Sequence, residues 1–503
     1  MPVSSGKSSG KRSALGHRAK RWLYIVHRWI GIFSCLLFAI WFLSGLVMIY
    51  VPFPALTAQE RLVGLQPIDW PRVKVQPAAA LAAADITSPK AVTLEMRDGA
   101  PVWRIDPWDG PQRTVAASTH GPLKPVDAAM ARRIASRFGR GPVDELERID
   151  RDQWTVAGSF DRHRPLWKAS LRDTAGMVLY VSSTTGAVVL DTTAHERFWN
   201  WLGSVPHWLY PTILRQNNDA WRQVVMWVSG PCILAAVTGM WIGILRTRLG
   251  RRRFGHGRRT PYRGWMHWHH VAGLVGGFFL LTWIFSGWLS VDPFRLFFSG
   301  GIETSARAAY QAAAATPDTP ADRLGQAAKG AKRIELHWLA GRPLFVVERA
   351  AGIAAVLDAR TLEPAQIDQH SILAAARALL PGARIVQVDR LSAPDSYWYD
   401  VGELPRLPVL RIRFDDPART WVHIDPRTGA LLGDIDARGR LYRWLFDLLH
   451  KWDLNLLTLN RPVWDVLLWL LSIAGTVTSI SGIYLGWARL MVSKARRVHV
   501  VHH

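Results

Sequence analysis

The stretch His207–Arg246 reads HWLYPTILRQNNDAWRQVVMWVSGPCILAAVTGMWIGILR, and it occurs twice. His207, Trp221, Gly239, Gly243 and Arg246 recur as His450, Trp464, Gly482, Gly486 and Arg489, each displaced by 243 residues without a gap. From Trp221 and from Trp464 onward both copies are apolar for more than the ~20 residues that cross a bilayer core. Each copy is therefore a histidine-bearing approach segment, an apolar helix and a closing arginine. A histidine at the mouth of a duplicated membrane helix organises the reading of the rest.

A second pair of apolar runs repeats in the same way. His27, Gly31, Trp41 and Gly45 match His269, Gly273, Trp283 and Gly287 at an offset of 242. The internal copy cannot be a cleaved leader, so the first run reads as a retained anchor as well. The chain then divides into a disordered basic tail (1–21), a first span (22–51) and a first module (52–205). An interfacial segment with the second span (206–245), a basic loop (246–265) and a third span (266–291) follow. A second module (292–448), another interfacial segment with the fourth span (449–488) and a tail (489–503) complete it. The modules repeat too: Gly99-Ala100-Pro101 aligns with Gly341-Arg342-Pro343, and Gly186-Ala187 with Gly429-Ala430. Each alternates Ala-rich helical stretches with short strands, such as Ala128–Phe138 before Trp167–Leu190. The fold class is a membrane α-helical protein of four transmembrane helices, a duplicated two-span unit, with two α+β modules. Residues 301–320, rich in Ala, Thr, Pro and Gln, read as a loose connector.

The composition is 49% hydrophobic and 20% charged, with a net charge of +23. That charge is not spread over a folded domain, as a nucleic-acid groove would require. It sits in residues 1–28, 246–263 and 489–503, three acid-free segments that flank apolar runs. Under the positive-inside rule these face the cytoplasm, and both long loops face the other side. The expected setting is a bacterial inner membrane, four-pass, both termini cytoplasmic, with two large periplasmic modules and no nucleic-acid partner. Cys35 and Cys232 fall inside apolar runs and support neither a disulfide framework nor a cysteine metal site. There is no CxxCH for covalent haem, no Rossmann fingerprint after a strand and no P-loop. Any flavin or nicotinamide chemistry would belong to a partner.

Three motifs carry a family resemblance: HRWIG at His27–Gly31, the last helix through Arg461-Pro462-Val463-Trp464-Asp465 to Ser481-Gly482 and Gly486-Trp487, and the strand turn VHIDPRTGALL at Val422–Leu432. Together they resemble the PepSY-associated transmembrane proteins over roughly residues 20–490. The likeness is weaker in the first module, where Ser182-Ser183-Thr184-Thr185-Gly186 replaces the Asp-Pro turn. The resemblance implies PepSY-like periplasmic modules and an iron-regulated inner-membrane protein. For some members it also implies a ferrisiderophore reductase with b-type haem on transmembrane histidines.

Ionisable side chains at membrane depth are costly and are functional candidates by default. Repeat matching selects His27 with His269, and His207 with His450. A pseudo-twofold axis sets equivalent residues opposite one another at one depth, and two facing neutral imidazoles suit a six-coordinate electron-transfer haem. The expectation is two b haems, one at each membrane face, with these four histidines as the iron ligands. His270 and His267 crowd His269 and stay open as alternatives to it. A histidine beside interfacial tryptophan is also an ordinary polar anchor, and Trp29, Trp208, Trp265, Trp268 and Trp452 stand near all of these. The histidines of the two long loops, His120, His163, His195, His337, His370 and His423, read as structural or solvated.

The function that follows from the histidines is electron transfer across the membrane, and the resemblance implies that it is that of a haem-dependent ferric reductase. It would pass electrons from a cytoplasmic or quinol donor to a periplasmic ferric complex, a ferrisiderophore, and release Fe(II). Membrane lipid is the remaining partner. The rival is a membrane-anchored PepSY binding or regulatory protein without haem, its histidines mere anchors. A solute transporter would need a polar midplane site, which the nearly charge-free span centres do not offer.

Overall fold

The computed structural model describes residues 8–119, 123, 125–250, 253–297, 300–313, 316–399, 405–458 and 460–500. Contacts divide the chain into two compact units. One holds residues 1–52, 199–297 and 442–503, the other residues 53–198 and 298–441. His120 lies outside the described residues.

In the first unit, four helices among the described residues are long and apolar enough to cross a membrane. They are α1 (Ser8–Met48), α2 (Asn218–Arg246), α3 (Gly264–Leu289) and α4 (Arg461–Val500). A helix satisfies its own backbone polar groups, which a bilayer core demands. The helices close a ring: α1 packs on α2, α2 on α3, α3 on α4 and α4 on α1. Repeat-related α1 and α3 stand across the ring from one another, as do α2 and α4. Small residues make the contacts close. A Cβ on Gly276 would meet Ala474 at 3.2 Å, and one on Gly486 would meet Ile32 at 3.1 Å. Phe33, Trp227, Val275 and Leu470 are exposed on the outer surface, where lipid supplies the apolar surroundings.

The helices differ from expectation at the ends. The first begins at Ser8 inside the tail expected to be disordered, and the last continues to Val500. Both extensions are rich in Ala, Lys and Arg. Such residues propagate cheaply from a helix already nucleated by its apolar part. The unit boundaries also differ: residues 199–205 and 442–448 belong with the spans.

The second unit carries the strands of both modules. The first module supplies β1 (Pro89–Arg97), β2 (Ala100–Pro107) and β3 (Arg113–Ala116), then β4 (Val143–Ile149), β5 (Leu166–Leu171), β6 (Val178–Ser182) and β7 (Val188–Thr192). The second supplies β8 (Arg333–Leu339), β9 (Arg342–Arg349) and β10 (Gly352–Asp358), then β11 (Ile385–Leu391), β12 (Val409–Phe414), β13 (Trp421–Ile424) and β14 (Leu431–Ile435). Each module is a three-stranded meander, a helix and a four-stranded antiparallel sheet. The meanders join edge to edge into one six-stranded sheet through β1 and β8, in the order β10-β9-β8-β1-β2-β3. At that seam Thr93 faces Glu335, its own repeat equivalent, with Val92 opposite Leu336 and Leu94 opposite Ile334. The internal twofold axis therefore passes through the Thr93–Glu335 pair.

Local chemistry repeats along with the fold. Asp98-Gly99 and Ala340-Gly341 turn the first hairpin of each module, all four residues at positive φ, as a two-residue turn of this hand requires. Asp127 and Asp368 cap the module helices, accepting from Met130 N at 2.8 Å and Ser371 N at 2.7 Å. Residues 301–320 are not wholly a connector. Thr304–Gln311 is helical, and Tyr310 is buried with its hydroxyl donating to Gly429 O at 2.6 Å.

Candidate functional site

Each approach segment is tied back to the helix that follows it. The indole N–H of Trp221 donates to Trp208 O at 2.9 Å, and that of Trp464 donates to Lys451 O at 3.1 Å. These are repeat-equivalent bonds. They fold the chain between each histidine and its helix into short turns, among them Thr212–Arg215 and Asn455–Thr458. His207 thereby packs against α1 and His450 against α3.

The four repeated histidines meet in two pairs. His27 on α1 and His269 on α3 face each other across the ring, their ring centres 6.4 Å apart and the planes at 41°. His207 and His450 face each other with centres 6.0 Å apart and planes at 72°. His207 touches α1 at Ser44, seventeen residues beyond His27, so the pairs lie roughly 25 Å apart along the helix at 1.5 Å rise per residue.

In all four rings Nδ1 is engaged by a neighbouring helix. His27 Nδ1 donates to Ala235 O at 3.1 Å, with Thr238 Oγ1 at 3.4 Å, and His269 Nδ1 donates to Thr478 O at 3.0 Å, with Ser481 Oγ at 3.2 Å. His207 Nδ1 donates to Ser44 Oγ at 3.0 Å, and His450 Nδ1 to Ser286 Oγ at 3.0 Å. Each hydroxyl spends its own hydrogen on its helix: Ser44 on Trp41 O, Ser286 on Trp283 O, Thr238 on Leu234 O and Ser481 on Val477 O. What remains for the imidazole is a lone pair, so the proton sits on Nδ1. Nε2 is left as the ring's free lone pair.

A glycine follows every one of those hydroxyls, and every one seats the same ring. A Cβ on Gly239 would meet His27 Cε1 at 2.6 Å, and on Gly482 it would meet His269 Cε1 at 3.2 Å. On Gly45 it would meet His207 Cε1 at 3.2 Å, and on Gly287 His450 Cε1 at 3.6 Å. Four Ser/Thr-Gly dipeptides, one per helix, thus serve the four histidines. Reasoning from sequence used these glycines as markers of the repeat and passed over the hydroxyls. The signal was available: Ser44-Gly45 matches Ser286-Gly287, and Thr238-Gly239 matches Ser481-Gly482, at the same two offsets.

Of the three histidines at the start of α3, only His269 faces His27. His270 is buried and turned to α2, with Nε2 3.0 Å from Gly243 O and the Tyr262 ring 5.2 Å away. His267 packs on Trp268. The family model of the PepSY-associated TM region matches residues 24–345, which include α2, α3, nearly all of the apolar part of α1, and the first module. The chain belongs to that family. No curated protein matches it.

The residues of this PepSY-associated protein fit a haem iron at each pair. Metal-bound histidines commonly donate the other ring N–H to an oxygen that fixes tautomer and orientation, as all four do here. His27 with His269 and His207 with His450 would hold such a group through Nε2, and the group would supply one-electron redox chemistry there. The glycine-seated flanks keep side-chain bulk away from the rings.

Among the module histidines, His423 has a structural role. His423 on β13 accepts from Arg411 Nε at 2.9 Å and stacks on Trp398, with Arg411 paired to Asp395. The same network stands in the first module with other residues: Tyr180 donates to Asp152 at 2.6 Å, and Lys168 lies 3.7 Å from Asp152. Burial, helped by the Arg411 charge, pushes His423 down to about 4. Burial and Arg162 push His163 down to about 4.

Proposed function

We propose that this membrane-spanning PepSY protein is a di-haem b electron carrier of the bacterial inner membrane that reduces a periplasmic ferric complex, a ferrisiderophore. The observation that carries the reading is the pair of facing imidazoles at two levels of one ring, each with Nδ1 protonated and Nε2 free. A polar anchor needs neither a facing partner nor a fixed tautomer. Haem, when bound, supplies one-electron redox chemistry at each level. The chain's own part is to hold the rings, fix their protonation and keep water from the ring interior with α1–α4.

The basic segments 1–28, 246–263 and 489–503 support cytoplasmic termini under the positive-inside rule. In that orientation the His27–His269 pair is the inner one, and the His207–His450 pair is the outer one, nearer the modules' side. Each Fe(III) takes one electron. A quinol donor gives two electrons and releases two protons, so one quinol would serve two ferric complexes. Fe(II) is held less tightly than Fe(III) by hard oxygen ligands and leaves the chelator.

A pyridine haemochrome spectrum of the purified protein tests this. About two b haems per chain are expected, with a bis-histidine low-spin signature. A colourless preparation from haem-replete cells overturns the reading and leaves a haem-free PepSY anchor.

A further inference from the structure

The first module contains a cavity lined by side chains that its twin does not share. Between β1–β2, the helix Ala128–Gly139 and the β6–β7 turn lies an open cavity of about 470 Å³, counting the solvent at its mouth. Four guanidiniums line it, those of Arg61, Arg97, Arg104 and Arg137, against two carboxylates, Glu95 and Asp98.

The carboxylates are already committed. Asp98 accepts from Arg133 at 2.7 Å and Arg137 at 2.7 Å. Glu95 is paired with Arg104, and both are 5% exposed. Burial opposes ionisation of Glu95, yet Arg104, with Arg333 and Arg61 behind it, holds its carboxyl below the usual range. Arg97 is also 5% exposed, its stem lying over Gly186, where a Cβ would meet Nε at 2.9 Å. Arg61, half-buried on the helix Ala58–Gly64, makes no side-chain hydrogen bond or ion pair. Four guanidiniums against two carboxylates leave the lining of the cavity with a net positive charge.

The duplication supplies the comparison that decides how to read this. At the matched positions Arg97 becomes Leu339, Arg104 becomes Val346 and Glu95 becomes His337. Leu339 lies on Gly429 as Arg97 lies on Gly186. Leu339 joins Leu344, Tyr310 and Ile302 in a closed apolar core. The fold at this place accepts an apolar filling, so the arginines of the first module are not needed to build it.

We propose that this cavity binds a small oxyanion, the carboxylate or phosphate-type group of an organic ligand. Guanidinium forks match both groups through paired N–H donors. Arg61 is the open donor at the mouth, and Arg97 and Arg104 form the floor. The assignment concerns the soluble unit alone and stands whether or not the spans carry haem.

The test is calorimetric titration of the full-length protein in nanodiscs with citrate, inorganic phosphate and neutral glycerol. Saturable binding of citrate or phosphate is expected, with glycerol silent. Tighter citrate marks a carboxylate ligand, and tighter phosphate a phosphate ester; either supports the site. Arg61→Ala and Arg97→Leu should each weaken binding at least tenfold, whereas Arg172→Ala, on the module surface, should leave it unchanged. Arg97→Leu copies the second module and so is expected to fold, and Arg61→Ala removes no hydrogen bond. Absence of binding by both anions, or wild-type affinity in Arg61→Ala, overturns the proposal.

Discussion

The duplication has been treated differently in the two units of this protein. In the spans, three kinds of residue are the same in both copies: the histidine, the hydroxyl that takes its N–H and the glycine that seats its ring. In the modules, the turns and helix caps are shared while the side chains between them have diverged: Arg97 to Leu339, Tyr180 to His423, Lys168 to Arg411. The difference teaches what each unit must do. A group held between two copies would need the same donor from both, and neither copy would then be free to change. A ligand held inside one module asks nothing of the other, and its twin is free to become core.

The strongest way to break this comparison is to remove one histidine. In His27→Ala or His269→Ala, about half the haem should be lost by haemochrome assay, while the His207–His450 pair keeps its share. Retention of full haem in both variants would show that the pair does not ligate. The glycines come next. Gly239→Ala puts a methyl 2.6 Å from His27 Cε1, whereas Gly230, nine residues earlier on the same helix, has nothing within 4 Å. Overpacking of that kind costs about 1–3 kcal/mol. Gly239→Ala should therefore lose haem and Gly230→Ala should not, both read as haem per chain. Equal behaviour of the two would reduce the glycine to a spacer.

The hydroxyls should matter less, and unequally. Loss of an oxygen partner behind a metal-bound histidine typically costs 10–100-fold in metal affinity or activity. Thr238→Val leaves His27 its bond to Ala235 O at 3.1 Å, but Ser44→Ala takes away the oxygen to which His207 donates at 3.0 Å. Haem dissociation and midpoint potential should shift more in Ser44→Ala than in Thr238→Val. The reverse order would mean that the carbonyl, not the hydroxyl, positions the ring at both levels.

Much of this was legible in the sequence because membrane physics and duplication each leave plain marks. Apolar length gave the four spans, and the two offsets gave the His27–His269 and His207–His450 pairings. The unread parts depend on the third dimension. Ser44 and Thr238 look like ordinary helix hydroxyls until the ring packs their neighbours against the histidines. The choice of His269 over His270 turns on about 100° of helix rotation, which spacing alone does not fix. The arginine cavity was invisible because Arg61, Glu95, Arg97 and Arg104 are spread over a helix and two strands, with no motif to join them. The helix in the N-terminal tail was missed because charged composition was read as disorder where a nucleated helix simply continues.

The smallest effect lies in the modules, where divergence put a titrating group on one side only. His423 stands where the first copy has Tyr180, and its burial beside Arg411 lowers its pKa from 6.5 to about 4. The folded state then binds fewer protons than the unfolded chain between those two values. Stability from this position is complete above pH 6.5 and is lost as pH falls toward 4, by about 3 kcal/mol at most. His163 adds a loss of the same sign from the first module. His423→Tyr should therefore make the fall in thermal midpoint between pH 7.5 and 4.5 smaller, with the His163 contribution still present. Tyrosine already serves this position in the first copy, donating to Asp152 where His423 accepts from Arg411. Asp395 would take the place of Asp152 as acceptor for the new hydroxyl. If acid destabilises the variant as much as the parent, His423 does not titrate differently in the folded chain, and the two networks are equivalent in charge as well as in shape.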